Sequence, residues 1–328
     1  MKSKIEILEY LRFVSLVEVF LIHYFNDYLN AGLLSNFLMV SGKLGVAVFF
    51  MITAYLLVIT SKPDKKGNIK KKIHQLIPKY EIILFLVFIA SLFAPKLFKT
   101  FNTNIWNFVK SVFLIPYTTE GVPFSCPMLP VAWTLIVQFF IFICFYSILY
   151  FIKKIDYTGI IMVIICVFLG LLKNISSIDN VFTYTYCRFY MLYFATGFFV
   201  GILDRRLSSK SSYKNREGMV PSIYIFIGLV IFLLISCLYE ENTFWYLLIS
   251  CLFGICMMFL KNLKFPKFIL FYGKISYSFF LIHYLLCKVF TRIFVNSNML
   301  IMASVCFALV TACAYIYDVV IGKITKLN

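Results

Sequence analysis

Residues 12–23 read RFVSLVEVFLIH. They lie inside the first long apolar run, yet an arginine opens the stretch, a glutamate stands near its middle and a histidine closes it. An apolar run of this length reads as a helix that crosses a bilayer, and hydrocarbon accepts such side chains only against the protein interior or a wet cavity. The reading of this stretch therefore fixes both the class of fold and the place to look for chemistry.

The rest of the chain agrees with a membrane reading. Of 328 residues, 62% are hydrophobic and 14% charged, whereas a soluble domain is about half apolar and about a quarter charged. Apolar runs long enough to span recur at about 7–29, 42–60, 77–95, 131–152, 158–173, 188–203, 221–239, 243–260, 268–291 and 299–321. The expected fold is an all-α, polytopic transmembrane bundle of about ten spans, forming a single domain over residues 1–328. Residues 105–115 read as a short interfacial helix. The opening MKSKIEILEYLRF mixes acids and bases and precedes no small-residue cleavage site, so the first run reads as a retained span.

Basic residues test the span map. With ten spans, Lys2 and Lys4, the run Lys62 to Lys79, Lys153 and Lys154, Arg205 to Arg216, Lys261 to Lys267, and Lys323 and Lys326 fall on one side. The other side holds few, among them Lys96, Lys99, Lys110 and Lys173. The positive-inside rule makes the rich side cytoplasmic and puts both termini there. The same distribution accounts for the net charge of +17 without nucleic acid. The ten cysteines show no paired or zinc-type spacing and read as packing residues, with Cys126, in a loop, as the one to watch. No metal site and no glycine-rich phosphate loop is expected. The loop 96–130, rich in proline, reads either as a lid over a site or as a connector.

Arg12 and His23 are eleven residues apart, three helical turns plus roughly 20°, so they share a face and sit about 16 Å apart along the axis. Glu18 points well over 100° from either by the same arithmetic. Each has a plain structural reading: snorkelling for Arg12, an interhelical hydrogen bond for His23, a buried hydrogen bond or ion pair for Glu18. Arg12 and His23 on one face also suit an anion held at the inner mouth and a base deeper in the membrane.

Several segments, in order, resemble the membrane acyltransferase-3 family. LEYLRFVSLVEVFLIHYF carries the family's basic residue, ten intervening residues and histidine. GKLGVAVFFMITAYLL (42–57), KKIHQLIPKY (71–80), AWTLIVQFFIF (132–142), RFYMLYFATGFFVG (188–201) and GKISYSFFLIH (273–283) resemble its later motifs. The resemblance implies transfer of an acyl group, usually acetyl, from cytoplasmic acyl-coenzyme A to a hydroxyl of a cell-surface or lipid-linked carbohydrate. His23 would be the general base, and Arg12, Lys71 and Lys72 would grip the donor's phosphates. Without the resemblance, Lys71 and Lys72 read as ordinary positive-inside charge. Tyr55, Trp133, Gln138 and Arg188 would meet the acceptor, although an interfacial aromatic belt also explains Trp133. Glu18, Thr53, Ser276, Tyr277 and His283 would support the site, with helix packing the favoured role for His283.

The chain departs from the family pattern at Thr53 and Ala54, where Ser-Gly is usual, at Gln75, where an arginine is usual, and at Gln138, where a glutamate is usual. The implied donor is acyl-CoA, with no metal. The implied partners are the bilayer, a glycan acceptor, and a second copy or glycan-synthesis enzymes. The implied location is the inner, cytoplasmic membrane. Two other readings use the same residues: a transporter or flippase for a polysaccharide intermediate, and an inactive scaffold suggested by Gln138.

Overall fold

The computed structural model describes residues 6–25, 33–63, 67–96, 104–117, 127–175, 180–209, 250, 252–254, 256–257, 260, 263–294 and 297–324. Among them the regular structure is helical throughout: α1 (Glu6–Phe25), α2 (Leu33–Thr60), α3 (Gly67–Phe93), α4 (Ile105–Val112), a 3₁₀ turn (Pro130–Ala132), α5 (Trp133–Ile152), α6 (Ile155–Ile175), α7 (Val181–Tyr186), α8 (Tyr190–Ser209), α9 (Lys267–Ile293) and α10 (Met299–Ile324). Six are long and apolar enough to cross a membrane: α2, α3, α5, α6, α9 and α10. They match six of the ten expected spans. The helices at expected spans one and six do form, as α1 and α8, but Glu9, Arg12 and Glu18 in one and Asp204, Arg205 and Arg206 in the other make them too charged to qualify by apolarity alone. The expected spans 221–239 and most of 243–260 lie outside the described residues.

Large apolar side chains remain uncovered by protein on these helices, among them Phe93 on α3, Phe151 on α5, Ile164 on α6 and Leu300 on α10. A bilayer covers such surfaces, and water would not tolerate them. The helices group into two compact units, Met1–Thr60 with Leu192–Ser276, and Ser61–Met191 with Tyr277–Asn328.

In the first unit, small residues let backbones touch, as is common where helices pack in lipid. A Cβ on Gly42 would sit 2.6 Å from Ile22 Cγ2, and one on Gly45 would sit 2.7 Å from the Ser15 carbonyl oxygen, so α2 lies directly on α1. Gly197 and Gly201, one turn apart on α8, face α2; a Cβ on Gly197 would overlap the Met51 carbonyl oxygen and come 2.8 Å from Ala54 Cβ. The Phe50 and Phe194 rings stack beside them at 4.5 Å. The N-terminal part of α9 closes on α1 through Gly273, where a Cβ would lie 2.5 Å from Glu9 Cβ.

In the second unit, α3 starts ten residues before the expected span. Lys70, Lys71, Lys72 and Gln75 are good helix formers, and the helix continues through Pro78 into the apolar part. Proline inside a helix removes one backbone donor and disturbs the carbonyls one turn back. On either side of Pro78, the Tyr277 hydroxyl donates to the Leu76 carbonyl oxygen at 2.9 Å, and the Tyr317 hydroxyl to that of Lys79 at 2.6 Å, which ties this part of α3 to α9 and α10.

In its described parts, the loop 96–130 is packed on α3. Its helix α4, started by the Asn104 side chain accepting from Trp106 N–H at 2.8 Å, turns Ile105, Trp106 and Val109 outward and Ser111 inward. The helix ends with Leu114 in the left-handed region, φ 53°, while Leu114 and Ile115 N–H donate to Ser111 and Lys110 carbonyl oxygens. This is the backbone pattern that usually places glycine where Leu114 stands. Ser111, fully buried, accepts from Tyr80 OH through its carbonyl (2.8 Å), accepts from Met128 N–H through its hydroxyl (3.0 Å), and shares a hydrogen bond with Tyr117 OH (3.1 Å). Both described limbs of the loop are thus fastened to α3.

Candidate active site

The polar face of α1 is built from the carboxylates outward. Glu9 is buried, and its Oε2 accepts from Arg12 Nη1 at 3.2 Å, one turn along the same helix. Arg12 keeps a quarter of its side chain accessible, and Glu9 is the one partner it has among the described residues. The guanidinium is thereby aimed while most of its donors stay available. Gly273 makes room for this pair, since any side chain there would strike Glu9 Oε2. Glu6, one turn earlier, accepts from Phe265 N–H at 2.9 Å and ties the start of α1 to the chain entering α9. Tyr10 stacks on Phe265, and Phe13 meets Tyr272.

Glu18 is buried, with its Oε2 3.3 Å from where a Cβ on Gly45 would stand. It faces the α2 backbone, on a different side of α1 from Arg12. His23 lies half-buried in the last turn of α1. Thr53 is half-buried on α2, and Ser276 is buried on α9.

Tyr55 is fully buried, and its hydroxyl donates to Asp204 Oδ2 at 2.6 Å. That bond joins α2 to α8 inside the first unit. Asp204 was not singled out from the sequence; an acid just before two arginines at a helix end reads as surface charge.

The second unit holds Lys72, Trp133, Gln138, Arg188, Tyr277 and His283; Lys71 lies on α3, but its side chain is outside the described residues. Near the cytoplasmic end expected for α3, Lys79 pairs with Asp318 of α10, and Ser278 Oγ of α9 donates to the same Asp318 oxygen at 2.6 Å. This three-helix polar cluster was also missed. Its one signal was a lone aspartate inside the last apolar run, the same kind of signal that Glu18 gives. His283 is buried against the Phe279 and Phe280 rings, and its Nδ1–H donates to the Phe280 carbonyl oxygen at 2.8 Å, a place within helix packing.

Trp133, Tyr190 and Arg188 gather where α5, α7 and α8 begin or end. The Trp133 and Tyr190 rings lie 5.4 Å apart, and the Arg188 guanidinium sits 5.0 Å from the Tyr184 ring centroid. Gln138 is half-buried further along α5. Among the described residues, no three His, Cys, Asp or Glu side chains gather as a metal site would need.

A basic residue and a histidine three turns apart on a first helix, in a chain of lipid-facing helices, is a pattern with a known home. The family profile for the acyltransferase-3 group, described as an acyltransferase domain, matches residues 5–318. The chain belongs to the acyltransferase-3 family. No curated protein and no solved structure matches it. The match runs from α1 into α10, so both units fall within the acyltransferase region, and the apolar helices make this a multi-pass membrane acyltransferase.

Proposed function

We propose that this acyltransferase moves an acyl group, with acetyl the first candidate, from cytoplasmic acyl-coenzyme A to a hydroxyl of a cell-surface or lipid-linked carbohydrate. Both termini would face the cytoplasm of the inner membrane. The observation that carries the proposal is Arg12, a partly accessible guanidinium aimed by buried Glu9, three turns before His23 on the same helix.

Arg12 would bind the donor's phosphates by charge-assisted hydrogen bonds, assisted by Lys71 and Lys72. The slender pantetheine arm would follow α1 for the roughly 16 Å to His23. The His23 imidazole would accept the proton of the acceptor hydroxyl as its oxygen attacks the thioester carbonyl carbon. The tetrahedral intermediate would collapse by breaking the C–S bond, and the imidazolium would return its proton to the departing thiolate. The products are an O-acyl ester and coenzyme A.

The test is transfer of radiolabelled acetyl from acetyl-coenzyme A to a membrane glycan fraction. His23→Ala should abolish transfer while leaving the protein folded and still binding acetyl-coenzyme A. Full transfer by that variant refutes the assignment. A wild-type protein that binds no acyl-coenzyme A would favour transport of a glycan intermediate instead.

A further inference from the structure

Arg188 presents a problem of counter-charge. Its Nε is buried and meets no hydrogen-bond acceptor among the described residues. Among the described residues, the helices packed around it offer no carboxylate nearby: α5 and α7 contain no Asp or Glu, and α6 has only Asp156, in its first turn at the far end of the helix. What faces the guanidinium is the Tyr184 ring, its centroid 5.0 Å from Cζ, a contact that supplies no oxygen acceptor to its N–H groups. A buried guanidinium nitrogen with no acceptor is costly, and a protein retains one where an incoming group supplies the missing oxygen.

The surroundings are built to keep this geometry. α7 begins with a reciprocal cap, in which the Asn180 side chain accepts from Thr183 N–H at 2.9 Å and Asn180 N–H donates to Thr183 Oγ1 at 3.1 Å. The Tyr190 hydroxyl donates back to the Thr185 carbonyl oxygen, and Met191 N–H to that of Arg188 at 2.9 Å. The turn 187–190 that carries Arg188 is therefore fixed at both ends. Beside it, the Trp133 and Tyr190 rings provide the apolar faces on which sugar C–H groups stack.

We infer that Arg188, with the Trp133–Tyr190 pair, forms a subsite for an acceptor that carries an oxyanion. This deepens the acyl-transfer reading and rests on it for the word acceptor. The charged group is either a carboxylate on an acidic sugar or a phosphate joining the glycan to a lipid carrier. Both supply planar or forked oxygens that match a guanidinium.

The experiment uses full-length protein in nanodiscs and two matched probe pairs, read by calorimetry. One pair is a neutral disaccharide and the same disaccharide with a hexuronic acid; the other is a short prenyl glycoside and the corresponding prenyl-phosphate sugar. The wild type should bind at least one charged probe about 10–100-fold more tightly than its neutral twin, the span expected for a desolvated charge-assisted hydrogen bond. Preference in the first pair alone identifies a sugar acid, and preference in the second alone a lipid-linked phosphate.

Arg188→Gln should erase the preference, and Arg188→Lys should retain part of it. Equal binding of charged and neutral twins by the wild type, or a preference that survives Arg188→Gln, overturns the inference. Acetyl-coenzyme A is titrated into each preparation: unchanged binding shows that the variants are folded. A wild type that prefers charged probes yet binds no acetyl-coenzyme A leaves the oxyanion subsite standing and refutes acyl transfer.

Discussion

Tyr55 separates two views of the first unit. If Tyr55 touches the acceptor, losing its hydroxyl harms acceptor binding; if it braces α2 against α8, the loss appears in stability. Its hydroxyl donates to Asp204 at 2.6 Å, and both residues are buried. Tyr55→Phe keeps the ring and its packing and withdraws one donor from a buried carboxylate. Hydrogen bonds to charged groups are worth about 1.5–3 kcal/mol net, and Asp204 retains a further interaction, which favours the lower half of that range. About 2 kcal/mol corresponds to roughly 30-fold in the unfolding constant. Reversible unfolding of Tyr55→Phe, Asp204→Asn and the double variant in mixed micelles would measure the coupling, which should fall between about 1 and 2 kcal/mol. The Michaelis constant for the acceptor should move less than threefold. A Tyr55→Phe protein of wild-type stability with a sharply raised acceptor constant would refute the brace and return Tyr55 to the acceptor site.

Three further outcomes follow from close contacts and buried polar atoms. Gly273→Ala places a methyl 2.5–2.6 Å from Glu9, so it should cost about 1–3 kcal/mol and, by displacing Arg12, raise the Michaelis constant for acetyl-coenzyme A more than it lowers turnover; an unchanged constant in a destabilised protein would show that Arg12 does not meet the donor. Ser111→Ala leaves the Met128 N–H without its buried acceptor and should destabilise by about 1–3 kcal/mol, read by protease susceptibility of the loop 96–130. Asp318→Asn strips Lys79 of its carboxylate and should cost more than Ser278→Ala, with the two non-additive because both act on one oxygen of Asp318.

Periodicity and apolar length carried α5, α6, α9 and α10 to within a few residues, because a bilayer demands long unbroken apolar stretches and little else resembles them. The N-terminal limit of α3 failed for a physical reason. Proline commonly marks a helix start, but Pro78 sits inside α3, in a stretch tied to Tyr277 and Tyr317, and both tyrosines lie about 200 residues or more further along the chain. The Glu9–Arg12 pair was within reach, since an acid and a base three apart on a helix are neighbours. Tyr55–Asp204 and the ties of Ser111 were not, because a tyrosine, an aspartate and a serine carry no mark of the distant partner that folding brings to them.

Four acids are matched by a donor within their own unit: Glu6 by a backbone N–H, buried Glu9 by Arg12, buried Asp204 by Tyr55, and Asp318 by Lys79 and Ser278. The proposed orientation, with both termini cytoplasmic, would put all four at the cytoplasmic ends of their helices, where a coenzyme A nucleotide would bring several negative charges. Bare carboxylates there would repel it, whereas carboxylates already bonded leave the local potential to the lysines and arginines. Glu9 goes one step further, because its partner is itself the cation proposed to hold the donor. Its charge weakens the attraction of Arg12 for phosphate, but at 3.2 Å it also fixes the direction of a long, flexible side chain. A guanidinium already ordered loses less rotamer freedom when ligand arrives, so the cost of holding Arg12 is met in folding and not in binding. By the same logic Arg188 is the exception that marks the other substrate: it is ordered by a ring and a capped turn, and its counter-charge is left for a ligand to bring.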